Sequence, residues 1–150
     1  MKEGAKQVQA GFTKPDDDWV PVMLVRMGKK CVTMMVSIPD DGKDTVGEAI
    51  TDYLLSKNAD EAVFIASSWM VCVEGEQSHL EVDELPKPSE HPQRKEALVL
   101  THVTKSSAKM YVAEIHRHQD GPPTLGEWGK PNTDLAVRGR FVDAMRLGIG

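Results

Sequence analysis

Between Val20 and Val36 the apolar residues crowd into two short runs, Val20-Pro21-Val22-Met23-Leu24-Val25-Arg26-Met27 and Cys31-Val32-Thr33-Met34-Met35-Val36, separated by Gly28-Lys29. Runs this short around a glycine-led pair predict a β-hairpin with a type II′ turn. Pro21 brings no N–H to a ladder, which favours an edge position or a strand start for the first strand. The period then changes. Val46, Ala49, Ile50, Tyr53 and Leu54 recur at helical spacing, Thr45 and Glu48 have the spacing of a capping box, and Lys57-Asn58 make a fitting helix end.

Ala62 to Val73 is apolar on both alternating sets, the pattern of a strand covered on both faces, and is expected to be the spine of the sheet. Within it Ser67-Ser68-Trp69 suggest a bulge or a pocket rim, with burial the expected state of Trp69. Glu74 to Gln93, acidic and carrying Pro86, Pro88 and Pro92, reads as a long excursion from the core. Ala97 to Thr104 and Met110 to His118 predict a second hairpin across Lys105-Ser106-Ser107-Ala108. Gln119 to Asn132 is a Gly/Pro-rich loop containing Trp128. A last helix is expected from a cap at Asn132 or Thr133, through Leu135, Phe141, Val142 and Met145, ending before Gly148.

The order β-β-α-β-β-β-α predicts an α+β fold, a two-layer sandwich of a mostly antiparallel five-stranded sheet with two helices on one face. Residues 1–18 hold few apolar anchors and are expected to form a mobile N-terminal arm ahead of a single α+β domain over 19–150. The length of 150 residues suits one domain, and the charge of −5 works against a broad nucleic-acid or anionic-membrane footprint. No apolar run approaches membrane-spanning length and the start lacks a secretory core, so the expected location is cytoplasmic. Cys31 and Cys72, each inside an apolar run, are expected to be buried reduced thiols. The triplet Asp16-Asp17-Asp18 is expected to be solvated rather than wrapped around a cation.

The strongest chemical constellation is Glu114, His116 and His118, placed by the strand period on one face roughly 7 Å apart. Two imidazoles and a carboxylate would take zinc or another divalent metal, or supply a general base near neutral pH. Their H-x-H with a later Asp is superficially similar to the zinc metallopeptidases that remove ubiquitin-like tags. Gln119 stands where that family has Pro, its Ser is missing, and Asp120 and Asp134 lie at the wrong distance, so that activity is not carried over. On a strand exterior the same three side chains simply face water, with Leu98, Leu100, Tyr111 and Ile115 packed beneath helices.

A second group of candidates lines the loops: His91, Arg94 and Glu96 from Ser89-Glu90-His91-Pro92-x-Arg94-x-Glu96, with Trp69 and Trp128. Arg94 and Glu96 are expected to pair at the surface. Together with Ala66-x-x-Trp69, this segment resembles a family of small uncharacterised bacterial and phage α+β proteins over about residues 62–100. The resemblance implies no known activity. Arg138, Arg140 and Arg146 on the last helix are the candidates for phosphate contact, diluted by Asp134 and Asp143. No phosphate-cradling glycine motif, nucleophile elbow or paired C-x-x-C occurs. The expectation is therefore a soluble binding or protein-interaction domain acting as a homodimer. A metal-dependent hydrolase using the Glu-x-His-x-His strand and a nucleic-acid accessory protein stand as alternatives, and enzyme activity is left open.

Overall fold

A computed structural model describes residues 2–70, 94–133, 137 and 139–150. Cys72, the whole acidic excursion from Glu74 to Gln93 with its His91, and Asp134, Leu135 and Arg138 lie outside the described residues. The chain is α+β, and its described strands, β1 (Val22–Met27), β2 (Lys30–Met35), β3 (Glu61–Met70), β4 (Lys95–Thr104), β5 (Ala108–His116), β6 (Thr124–Leu125) and β7 (Asn132–Thr133), form one antiparallel sheet ordered β2-β1-β3-β4-β5-β6 with β7 also on β5.

The first hairpin forms as its sequence predicts. Strands β1 (Val22–Met27) and β2 (Lys30–Met35) pair in register from Met27 opposite Lys30 to Val22 opposite Met35. Gly28 turns at φ 60 while Lys29 keeps a negative φ, the signature of a type II′ turn. Pro21 sits immediately before β1, its carbonyl accepting from Val36 N–H at 2.8 Å. β1 is interior, flanked by β2 and β3 (Glu61–Met70), so Pro21 marks a strand start and β2 is the edge. β3 pairs without interruption with β4 (Lys95–Thr104) from Glu61 opposite Thr104 to Met70 opposite Lys95, so Ser67-Ser68 make no bulge. β4 continues through a tight turn at Lys105-Ser106 into β5 (Ala108–His116). The Thr104 hydroxyl accepts from Ser106 and Ser107 N–H there, at 3.3 and 3.1 Å. β6 (Thr124–Leu125) and β7 (Asn132–Thr133) line the far side of β5.

The helices differ from expectation in number and bounds. Residues 1–18 contain a helix, α1 (Lys2–Ala10), whose Ala5 is buried and whose Ala5 carbonyl accepts from the Trp19 indole at 2.9 Å. Helix α2 (Lys43–Ser56) starts from Gly42 with no side-chain cap, so the Thr45/Glu48 capping box does not form. Its end is a Schellman motif: Asn58 takes φ 48, Ala59 N–H reaches Leu54 O at 3.0 Å and Asn58 N–H reaches Leu55 O at 3.1 Å. Helix α3 runs from Arg140 to Ile149. It begins later than expected because Asn132-Thr133 is drawn onto β5 as a strand, and it includes Gly148 because that glycine is where α2 and α3 touch.

Strand alternation divides the apolar residues between two cores, one on each sheet face. Met23, Val25, Phe64, Val103 and Ala108 pack beneath α2 and α3, against Leu54 and Met145. On the other face Ile65, Leu98, Leu100 and Ile115 pack with Trp19, Ala5 of α1, and Trp128. The sheet is thus covered on both sides, where helices on one face only were expected. Phe12 meets Trp19 edge-on at 4.8 Å between ring centres, which helps seat the segment after α1.

Candidate functional site

The predicted Glu114-His116-His118 row is only partly realised. β5 ends at His116, so His118 falls beyond the strand and bonds the Thr124 hydroxyl at 2.9 Å. Glu114 is approached by Lys95 at 3.5 Å, and Gly126 folds in so closely that a Cβ there would stand 3.3 Å from His116 Nε2. Among the described residues no three His, Cys, Asp or Glu side chains are grouped to hold a metal ion.

The loop candidates part company. Trp69 is 43% exposed rather than buried, and the Arg94 guanidinium lies 4.7 Å from its ring centre. Glu96 does not pair with Arg94. It accepts two bonds from Arg117, at 2.9 and 2.7 Å. Arg117 also reaches Asp18 at 3.3 Å and the Asp17 carbonyl at 2.7 Å, so one guanidinium clamps the segment after α1 onto the β4–β5 hairpin. Glu96's hydrogen bonds, working against the cost of burial, raise the Arg117 pKa further and keep it charged. The acidic triplet divides accordingly. Asp18 joins the clamp, while Asp17 accepts from the Thr13 and Lys14 amides at 2.7 and 2.9 Å, bonds that lower its pKa. Trp128 belongs to the second core, with Lys2 over its ring and over Tyr111. Of the C-terminal arginines, Arg140 is paired with Asp44 at 2.7 Å and Arg146 donates to the Val137 carbonyl at 2.8 Å.

A cross-strand trio escaped the sequence. The register sets Arg26 opposite Glu61, and both sit on the α1 face with His102. Glu61 accepts from Arg26 Nε at 2.6 Å through one oxygen and contacts His102 Nε2 through the other. Beside it lies a shallow hollow lined by Lys2, Glu3, Val63, Leu100, His102 and Tyr111. The one available signal was His102 as the lone ionisable residue in the run Leu98 to Val103. Burial works to raise the Glu61 pKa, and the bonds and charges of Arg26 and His102 outweigh it, leaving the carboxyl below its ordinary value. A depressed carboxylate adds stability above its unfolded pKa and loses it as pH falls through the folded one. Urea midpoints measured from pH 7 to pH 3 should therefore fall more steeply for the natural chain than for Glu61→Gln. Parallel profiles would show the trio to be energetically idle.

No family model, curated protein or solved structure matches this chain. Its surfaces must therefore carry the functional reading.

The most distinctive of them is the β2 edge. The far side of β5 is closed by residues 124–133, through the β6 and β7 pairings and bonds from Gly126 and Gly129 N–H to the Glu114 and Val112 carbonyls at 2.8 and 2.9 Å. No described strand pairs with the outer side of β2. Because Val36 N–H points to β1, alternation turns the backbone groups of Cys31, Thr33 and Met35 outward. Around them Met35 is 78% and Val32 37% exposed. Cys31, expected to be buried, is a free exposed thiol because its strand is the edge. Proteins usually blunt such an edge with proline, a bulge or charge, and between Cys31 and Met35 this strand has none of them.

Proposed function

We propose that the chain is a protein-interaction domain that assembles with a second copy of itself by antiparallel pairing of β2 with β2. The observation that carries the reading is the open β2 edge, uncharged from Cys31 to Met35 and with Val32 and Met35 exposed. The strand is also self-complementary. A two-fold axis through Thr33 sets Cys31 opposite Met35 and Val32 opposite Met34 of the other copy, and sets Lys30 opposite Val36, so no like charges meet. The outward groups of Cys31, Thr33 and Met35 then form about six ladder hydrogen bonds, and the two sheets become one.

Light scattering after size exclusion should give about twice the 16.6 kDa chain mass. Thr33→Pro deletes an outward N–H that no internal bond uses, so it should preserve the circular dichroism spectrum and weaken the dimer roughly tenfold or more. A natural chain that stays monomeric at high concentration, or a dimer indifferent to Thr33→Pro, would exclude pairing through this edge.

A further inference from the structure

Helices α2 and α3 lie side by side and point the same way. Gly47 faces Arg140 and Ala144, the Thr51 hydroxyl bonds the Ala144 carbonyl at 3.0 Å, and Leu54 meets Gly148. Their N-termini therefore stand together. Each is preceded by a glycine, Gly42 and Gly139, and neither has a side-chain cap. Two helix dipoles thus present their positive ends and uncapped amides at one place, an arrangement favourable to an anion.

That place is the mouth of a cleft of about 710 Å³ between the sheet and the start of α3. Lys43, Gly139 and Arg140 line the mouth, Arg140 with its guanidinium already paired to Asp44 at 2.7 Å, so Lys43 and the helix-start amides are what an anion would meet. The floor is apolar, made by Phe64, Ala66, Val99 and Met110, with Phe141 and Val142 as a wall. In the middle of that floor is Thr101, 4% exposed and the buried polar residue of the described core. Its register partners are Phe64 and Met110, so its side chain shares their face of the sheet and lines the same cleft. No described residue bonds its hydroxyl, which opens onto the cleft and is free to serve whatever enters it. Asp18, at the rim, is held by Arg117, and Asp40 limits the negative charge the mouth accepts.

We infer that this cleft binds a small organic monocarboxylate, its charged group at the paired starts of α2 and α3 and its apolar body over Phe64, Val99 and Met110. The Thr101 hydroxyl serves a polar atom along that body. The Asp40 carboxylate disfavours a doubly charged phosphate, and the apolar floor disfavours a sugar.

Decanoate is a suitable probe and decanol its neutral control. Titration of the full chain, followed by amide chemical shifts and calorimetry, should show saturable decanoate binding on the order of 100 μM. The shifts should centre on Thr101, Lys43 and Arg140, and decanol should bind about tenfold more weakly. Thr101→Val, nearly isosteric, should weaken binding several-fold, and Ala66→Leu should abolish it by filling the floor. Absence of saturation, equal affinity for decanol, or shifts centred on the α1 face would overturn the inference. The shift map and the alcohol comparison use the natural chain, so they decide between these outcomes even where a variant misfolds.

Discussion

Gly148→Val is expected to destabilise the chain by about 3 kcal/mol, read as a loss of roughly 6–12 °C in Tm or as a lower urea midpoint. A Cβ at Gly148 would stand 2.7 Å from the Leu54 Cβ, 3.0 Å from its Cδ1 and 3.1 Å from the Thr51 carbonyl. Leu54 is fully buried and cannot swing away, so the two helices must separate. Separation strains the bond from the Thr51 hydroxyl to the Ala144 carbonyl and loosens Met145 and Val142 against the sheet. A β-branched residue also brings better intrinsic helix propensity than glycine, so any loss that is measured understates the packing conflict. Gly4→Ala is the matching control. It lies in α1 with nothing within 4 Å of the new Cβ, and it should raise stability by about 0.5–1 kcal/mol. Equal effects at the two glycines would contradict close contact between α2 and α3.

Arg117→Met should cost about 2 kcal/mol, a figure already reduced because a third of the arginine side chain meets solvent. The substitution keeps most of the apolar stem but leaves Glu96, 16% exposed, without its paired donors. It also frees Asp18 and the Asp17 carbonyl, so the segment joining α1 to Trp19 loses its tie to β4 and β5. Hydrogen exchange should consequently quicken in α1 and at Trp19, while the β1–β2 hairpin keeps its protection. Combining Arg117→Met with Glu96→Gln should cost less than the two changes summed, because each removes the same contact. Strict additivity, with exchange in α1 unchanged, would show that the clamp holds nothing.

What could be read from the sequence was what neighbouring residues decide between themselves. Gly28-Lys29 dictates its turn through backbone freedom alone, and Asn58 ends α2 because asparagine tolerates the left-handed region its position demands. The apolar alternation of Ala62 onward placed β3 in the centre of the sheet for the same local reason. Features that depend on distant partners were hidden. α1 shows no apolar stripe because only Ala5 needs to be buried, and what buries it is Trp19 and the second core. Thr45 and Glu48 have the right spacing for a capping box, but the helix begins earlier, at Lys43. Cys31 resembles a core residue until the strand order makes β2 the edge. Arg26, Glu61 and His102 become neighbours only through the register of β1, β3 and β4. The cleft needs still more, since it depends on two helices arriving in parallel from distant parts of the chain.

That last arrangement bears on how quickly the native state is reached. The bond between Thr51 and Ala144 spans 93 positions, the contact of Arg117 with the Asp17 carbonyl spans 100, and that of Gln9 with Leu125 spans 116. Each of these closes a long loop before it returns any enthalpy, which places the chain among slow, millisecond-to-second folders. The local hairpins β1–β2 and β4–β5 should assemble early, and the two sheet faces should be sealed last, as the chain ends come home.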